Sequence, residues 1–235
     1  MKEEAPARTA LLDAALLDAA RRAVDLVRDG MLLGLGSGSA AGAAVREIGR
    51  RLAAGRLSGV TGIPTSSATR DLAREAGVPL ADLPAQPRID LTIDGADEVS
   101  PTGDLIKGLG GALLREKIVA LHSRRLVIVV DQAKLVRRLG ERAPLPVVVV
   151  PFGWSTHLDC LRELGAEPAL RTRRGEEVPF VTDDGHYILD ARFRGGIEDA
   201  RALADVLARR TGVVETGLFL GMAPEVVVGQ SGLGR

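Results

Sequence analysis

The stretch DLTIDGADEVSPTGDLIKGLGGALLREK, Asp90 to Lys117, gathers two aspartates (Asp94 and Asp97), Lys107, a glycine-rich run and a Glu116–Lys117 pair. These residue types suit proton transfer. Two nearby carboxylates push each other's pKa values apart, which separates an acid from a base. "KGLGG" can set an ammonium beside free backbone N–H groups, as an oxyanion stabiliser requires. Glu116, on the helix that follows, offers a mobile carboxylate as base. A charge cluster is more often a surface loop with a salt-bridged helix. The glycine run, and the position at the end of the buried strand Leu91–Ile93, weigh against that, because open α/β sheets hold ligands at the carboxyl ends of their strands.

A second loop, GLGSGSA (Gly34 to Ala40), links an apolar strand to a helix. Its glycines let backbone N–H groups approach a phosphate, and the helix N-terminus favours negative charge. Ser37 and Ser39 add hydroxyls. No lysine follows as in a P-loop. The next strand, LSGVTGIP, lacks the acid that a dinucleotide fold would place at its end. A phosphate monoester fits better, and a tight turn without ligand is the plainer alternative. PTSSAT (Pro64 to Thr69) opens another helix at the same sheet edge, and its hydroxyls read first as helix caps. Lys134, just beyond the strand ending at Asp131, reaches that edge and could hold a phosphate.

Strand-length apolar runs that alternate with helical patterns must carry these residues. Helices are expected over Leu11 to Asp29 (closed by Gly30), Ala41 to Ala54, SSATRDLAREAG and LLREKIVALHSR. MLLGLG, LSGVTGIP, VPLADL, DLTIDGAD and LVIVVD are the strands between them. That order implies a parallel sheet covered on both faces. After Gly140 the pattern changes. APLPVVVVPFGW reads as a strand, STHLDCLRELG as a helix, FVTDDGHYILDARF as a hairpin turning at Asp184-Gly185, Ile197 to Arg210 as a helix, and VVETGLFLG and EVVVG as the final strands. The expected organisation is α/β: a Rossmann-like domain, residues 1–142 and 216–235, with a smaller α+β (ferredoxin-like) domain inserted at 143–215. Phe152 and Trp154 are expected to pack between the two.

Lys+Arg and Asp+Glu both number 31, and no basic stripe with interleaved aromatics occurs, which argues against nucleic acid or a membrane surface as partner. The lone Cys160 points to a reducing, cytoplasmic setting. The opening MKEEAPARTA is acidic with no apolar run after it, so it does not read as a signal peptide. No apolar stretch is long enough to span a bilayer. His122, His157 and His186 show no metal-ligand spacing. Only four lysines occur (Lys2, Lys107, Lys117 and Lys134), and arginine fills the other basic positions. Three of the four fall in or near the charged stretch, where a compact, titratable ammonium differs from a guanidinium.

These motifs together resemble the type A ribose-5-phosphate isomerase family. GLGSGSA is similar to its Gly-x-Gly-Thr-Gly-Ser-Thr loop, DLTIDGADEV to its Asp-Gly-Ala-Asp-Glu motif, and LIKGLGGALLREKIVA to its Lys-Gly-rich…Glu-Lys segment. VVDQAKLVRRLGERAPLPVVVVP, VTDDGHYILD and GVVETGLF match later signatures in order. The resemblance implies interconversion of ribose 5-phosphate and ribulose 5-phosphate through an enediolate, without metal or organic cofactor, in the non-oxidative pentose phosphate pathway. It implies a small-molecule sugar phosphate as partner and a homodimer or homotetramer. Carried over, Glu116 is the base, Asp94 handles hydroxyl protons and ring opening, Asp97 supports it, and Lys107 stabilises the oxyanion. Ser37, Gly38, Ser39 and Lys134 bind the substrate and its phosphate, with Ala40, Gly95, Ala96 and Gly108 lining the site. Ala40 stands where the family usually has Thr, and Leu109 interrupts the glycine run. A sugar-phosphate sensor on the same fold, binding without turnover, is the alternative.

Overall fold

The computed structural model describes residues 4–84, 88–173 and 175–229. Residues 1–3 and 230–235, which the expected first domain includes, lie outside the described residues. The chain divides into two compact units: Met1–Gly95 with Ile118–Lys134 and Ala223–Arg235, and Ala96–Lys117 with Leu135–Met222.

The first unit is built on five parallel strands. They are β1 (Leu32–Leu35), β2 (Thr61–Pro64), β3 (Leu91–Gly95), β6 (Leu126–Asp131) and β12 (Glu225–Gly229), in the order β12-β6-β3-β1-β2. All four pairings are parallel, so every strand ends on the same edge. Helices α1 (Glu4–Val24), α2 (Gly38–Ala53) and α3 (Ser67–Glu75) belong to this unit. Small and β-branched residues at helical spacing on α2, namely Ala44, Val45 and Ile48, bury one face against Leu33, Leu35, Leu91, Ile93, Val127 and Val129. Ile63, Ile89 and Val119 form a separate buried cluster with Leu32. Val119 comes from α4 (Leu113–Leu121).

The second unit contains β7 (Leu145–Val149), α5 (His157–Glu163), β8 (Ala166–Leu170), β9 (Tyr187–Phe193), α6 (Ala200–Ala208) and β10 (Val213–Thr216). This is the β-α-β-β-α-β order of a ferredoxin-like motif, with an antiparallel sheet in the order β10-β7-β9-β8. A small sheet of β4 (Glu98–Val99), β5 (Leu105–Ile106) and β11 (Leu218–Phe219) adjoins it in the same unit. Leu145, Val147, Val149, Leu189, Leu203 and Leu218 are core residues here.

Five local expectations need correction. The first helix ends at Val24, and Gly30 sits further on in a turn with φ +74. VPLADL forms only a bridge from Leu80 to Gly62, since Pro79 brings no N–H to a ladder. The turn at Asp184-Gly185 exists, with Gly185 N–H donating to Thr182 C=O at 2.9 Å. Thr182 N–H donates to His186 C=O across it at 2.9 Å, but no ladder continues from there, because β9 has both edges occupied, by β7 and β8. VVETGLFLG breaks at Gly217, where the chain changes sheets and a Cβ would lie 2.3 Å from the Lys107 carbonyl oxygen. Finally, Trp154 packs onto the second unit's own core, and Phe152 is 94% exposed.

Candidate active site

In the first unit the strand ends determine what can be offered to a ligand. Asp94, the fourth residue of β3, is buried, and its Oδ1 accepts from the N–H groups of Ser37 at 3.2 Å and Gly95 at 2.7 Å. That approach demands glycine at position 36, where a Cβ would fall 2.2 Å from the same oxygen. The chain then turns through Gly38 at φ +88 into α2.

Ser37 is the N-cap residue of α2, yet its side chain does not cap the helix, and no acidic residue occupies the first turn. Its Oγ instead meets the hydroxyls of Thr65 and Ser66, both at 2.8 Å, and of Thr69 at 3.1 Å. Thr69 and Thr65 donate on to the carbonyls of Gly36 and Leu35. The hydroxyl run PTSSAT therefore does more than cap α3, although Ser66 does accept from Thr69 N–H at 3.1 Å. With Ser37 turned toward these hydroxyls, the leading N–H groups of α2 keep no side-chain cap, and Gly38 and Ser39 are exposed. Such an end attracts an anion. Ala40 is buried, close enough to Gly95 that a Cβ there would touch it at 3.4 Å. Lys134 ends the 3-10 turn Gln132–Lys134 directly after β6. Among the described residues no carboxylate pairs with its ammonium.

The second unit carries Asp97, Lys107, Gly108 and Glu116. Lys107 follows β5, its backbone N–H donating to Gly217 C=O at 3.0 Å. Its Nζ lies 3.3 Å from Oε2 of Glu116, in the first turn of α4, and both side chains are buried. Phe219 lies under both neighbouring ammonium groups, 5.5 Å from Lys107 Nζ and 4.9 Å from Lys117 Nζ. Lys117 also donates to Glu215 Oε1 at 2.5 Å and to Thr216 C=O at 2.7 Å. Burial pulls the Lys117 pKa below the usual lysine value, and the Glu215 carboxylate opposes that shift.

The loop between Lys107 and α4 has positive φ at Gly108 (+108) and Gly111 (+84), and Leu109 is not in the left-handed region. Leu109 is therefore no intrusion on a glycine conformation: its side chain is exposed. Asp97 Oδ2 accepts from Leu109 N–H at 2.9 Å, so Asp97 braces this loop. No site role for Phe219 or Arg171 is legible in the sequence, where Thr65, Ser66 and Thr69 read first as helix caps. Arg171 donates to the carbonyls of Gly108 at 2.8 Å and Leu109 at 3.0 Å. The structure thus gathers Ser37 and Asp94 in one unit, and Asp97, Lys107, Leu109 and Glu116 in the other.

Residues 61–232 match the sequence family described as ribose 5-phosphate isomerase A (phosphoriboisomerase A). The chain belongs to that family. It is 50% identical over 217 residues to ribose-5-phosphate isomerase A of Deinococcus radiodurans, covering 92% of this chain and 94% of the relative. It is 53% identical over 223 residues to the Gloeobacter violaceus protein of the same name, covering 94% of each. A solved D-ribose-5-phosphate isomerase in complex with phospho-erythronic acid superposes with a TM-score of 0.89 at 35% identity, covering 93% of this chain and 95% of that one. No described helix is long and apolar enough to cross a membrane.

Proposed function

We propose that the protein interconverts D-ribose 5-phosphate and D-ribulose 5-phosphate through an enediolate, in the non-oxidative branch of the pentose phosphate pathway. The observation that carries this is the buried Lys107–Glu116 pair at 3.3 Å, a base and a cation side by side. In the open-chain aldose, the Glu116 carboxylate takes the proton from C2 as the electron pair moves onto the C1 oxygen. Lys107 and the N–H groups of its loop meet the negative charge that develops. Glu116 returns the proton to C1, while Asp94 moves the hydroxyl proton from O2 to O1, so the carbonyl passes from C1 to C2. Asp94 suits that task because two backbone N–H groups hold its carboxylate in one orientation. It also opens the sugar ring, and Asp97 supports the loop.

The phosphate binds at the uncapped start of α2, through Gly38, Ser39 and Ala40 N–H, with Ser37 and Lys134 beside it. Loss of the family's usual threonine hydroxyl at position 40 leaves the backbone donors to do this. Phospho-erythronic acid, bound to the solved relative, pairs a sugar-acid carboxylate with a phosphate, which agrees with a sugar phosphate as substrate.

The test is conversion of ribose 5-phosphate by the purified protein, followed by the appearance of the ketose. Turnover that persists after exhaustive chelation is expected, because Lys107 supplies the positive charge. Binding of the sugar phosphate with no turnover would replace the isomerase with a sensor.

A further inference from the structure

We infer that Arg171, which no motif in the sequence marks, is the positioning residue of the oxyanion loop. It sets the peptide planes beside Lys107, and this rests on the isomerase reading above.

Arg171 follows the last residue of β8, and its side chain is 11% exposed. Its Nε and Nη2 fork onto the Asp190 carboxylate at 2.9 and 2.5 Å, which fixes the guanidinium plane. The remaining nitrogen, Nη1, grips two successive carbonyls, those of Gly108 and Leu109. A trans peptide is planar, so holding its C=O aims its N–H the opposite way. The Gly108–Leu109 peptide is held at both ends: its carbonyl by Arg171 and its N–H by Asp97 Oδ2 at 2.9 Å. In the next peptide Arg171 holds the Leu109 carbonyl, and the Gly110 N–H faces away from it. Among the described residues no acceptor meets that N–H, and Gly110 is exposed.

The far end of the loop is held as well. The Phe180 ring lies against Gly111, where a Cβ would come within 2.5 Å of it, and Arg171 packs 5.9 Å from the centre of the same ring. Arg171 therefore acts through the loop and not on the substrate. Donors aimed before the reaction need no reorganisation while charge develops. Lysine cannot replace this arrangement, since a single ammonium lacks the planar fork that serves Asp190 and two carbonyls together.

The experiment compares wild type, Arg171→Ala and Arg171→Lys in steady-state isomerisation and in inhibition by two probes. One probe is phospho-erythronate, whose carboxylate resembles the enediolate, and the other is inorganic phosphate. We expect kcat of Arg171→Ala to fall on the order of 10- to 100-fold, less than loss of a donor itself costs at the upper end, with KM nearly unchanged. Phospho-erythronate should bind more weakly in parallel, and inorganic phosphate as in wild type. Arg171→Lys, which keeps the charge, should recover only part of kcat and serves as the test should the alanine variant not fold. Equal weakening of both probes, or unimpaired kcat in the variants beside an active wild type, would overturn the role of Arg171 alone. A wild type without turnover would instead take down the isomerase reading, and this inference with it.

Discussion

Lys107 Nζ stands 3.3 Å from Glu116 Oε2 with both side chains almost wholly withdrawn from solvent. Bringing two charges out of water costs about as much as their attraction returns, and an apolar pair often serves stability as well. The pair is therefore poor stabilising material and good chemical material. Lys107 is held at its backbone by Gly217, at its ammonium by Glu116, and along one side by Phe219.

Lys134→Ala tests the phosphate end. Contacts to a group that does not react act as uniform binding, so KM should rise with little change in kcat. A lost charge-assisted contact of about 1.5–3 kcal/mol corresponds to a rise of roughly tenfold or more. Measured KM for ribose 5-phosphate that stays at the wild-type value would remove Lys134 from the phosphate site.

Leu109→Gly should do little. Leu109 has ordinary φ and an exposed side chain, so glycine relieves no strain and adds only unfolded-state freedom. A stability loss of up to about 1 kcal/mol by denaturant melting, with kcat close to wild type, is expected. A several-fold gain in kcat would mean that the leucine does compromise the loop.

The charged stretch was legible because its parts are local: a buried strand carries Asp94 near its end, glycines follow, and Glu116 lies in the first turn of the next helix. The support was not. Arg171 reaches Gly108 from 63 residues away, through a pairing of β8 and β9 that no spacing announces. Thr65, Ser66 and Thr69 read as helix caps because one of them is a cap. Their convergence on Ser37 depends on β1 and β2 lying side by side. The hairpin expected at Asp184-Gly185 failed for a related reason. Turn chemistry predicts a reversal of the chain, whereas strand pairing is decided by which edges of β9 are already taken.

Stability should fall on the acid side partly through His157. It is buried, and its Nδ1 accepts from Arg210 Nε at 2.9 Å, an arrangement that needs the neutral ring. Burial, and then the Arg210 charge, push its pKa below the ordinary 6.5. The unfolded chain thus binds the proton more readily, so this contribution is complete above pH 6.5 and is lost as pH falls from there toward the folded pKa. His157→Gln, which keeps an acceptor and cannot titrate there, should flatten the dependence of Tm on pH between about 7 and 5. An equally steep slope in the variant would assign the acid loss to other groups.

The most direct measurement is solvent exchange at C2 in Glu116→Gln. The amide keeps the shape and an acceptor for Lys107 but cannot take a proton from carbon. Because the change leaves a buried ammonium without its counter-charge, some stability is lost, and a melting curve must show the variant folded. In deuterated solvent the folded variant should still bind ribose 5-phosphate, lose roughly 10²–10⁴-fold in kcat, and leave the C2 proton unexchanged. Exchange and turnover at the wild-type rate would contradict Glu116 as the base and pass that role to Asp94 or Asp97.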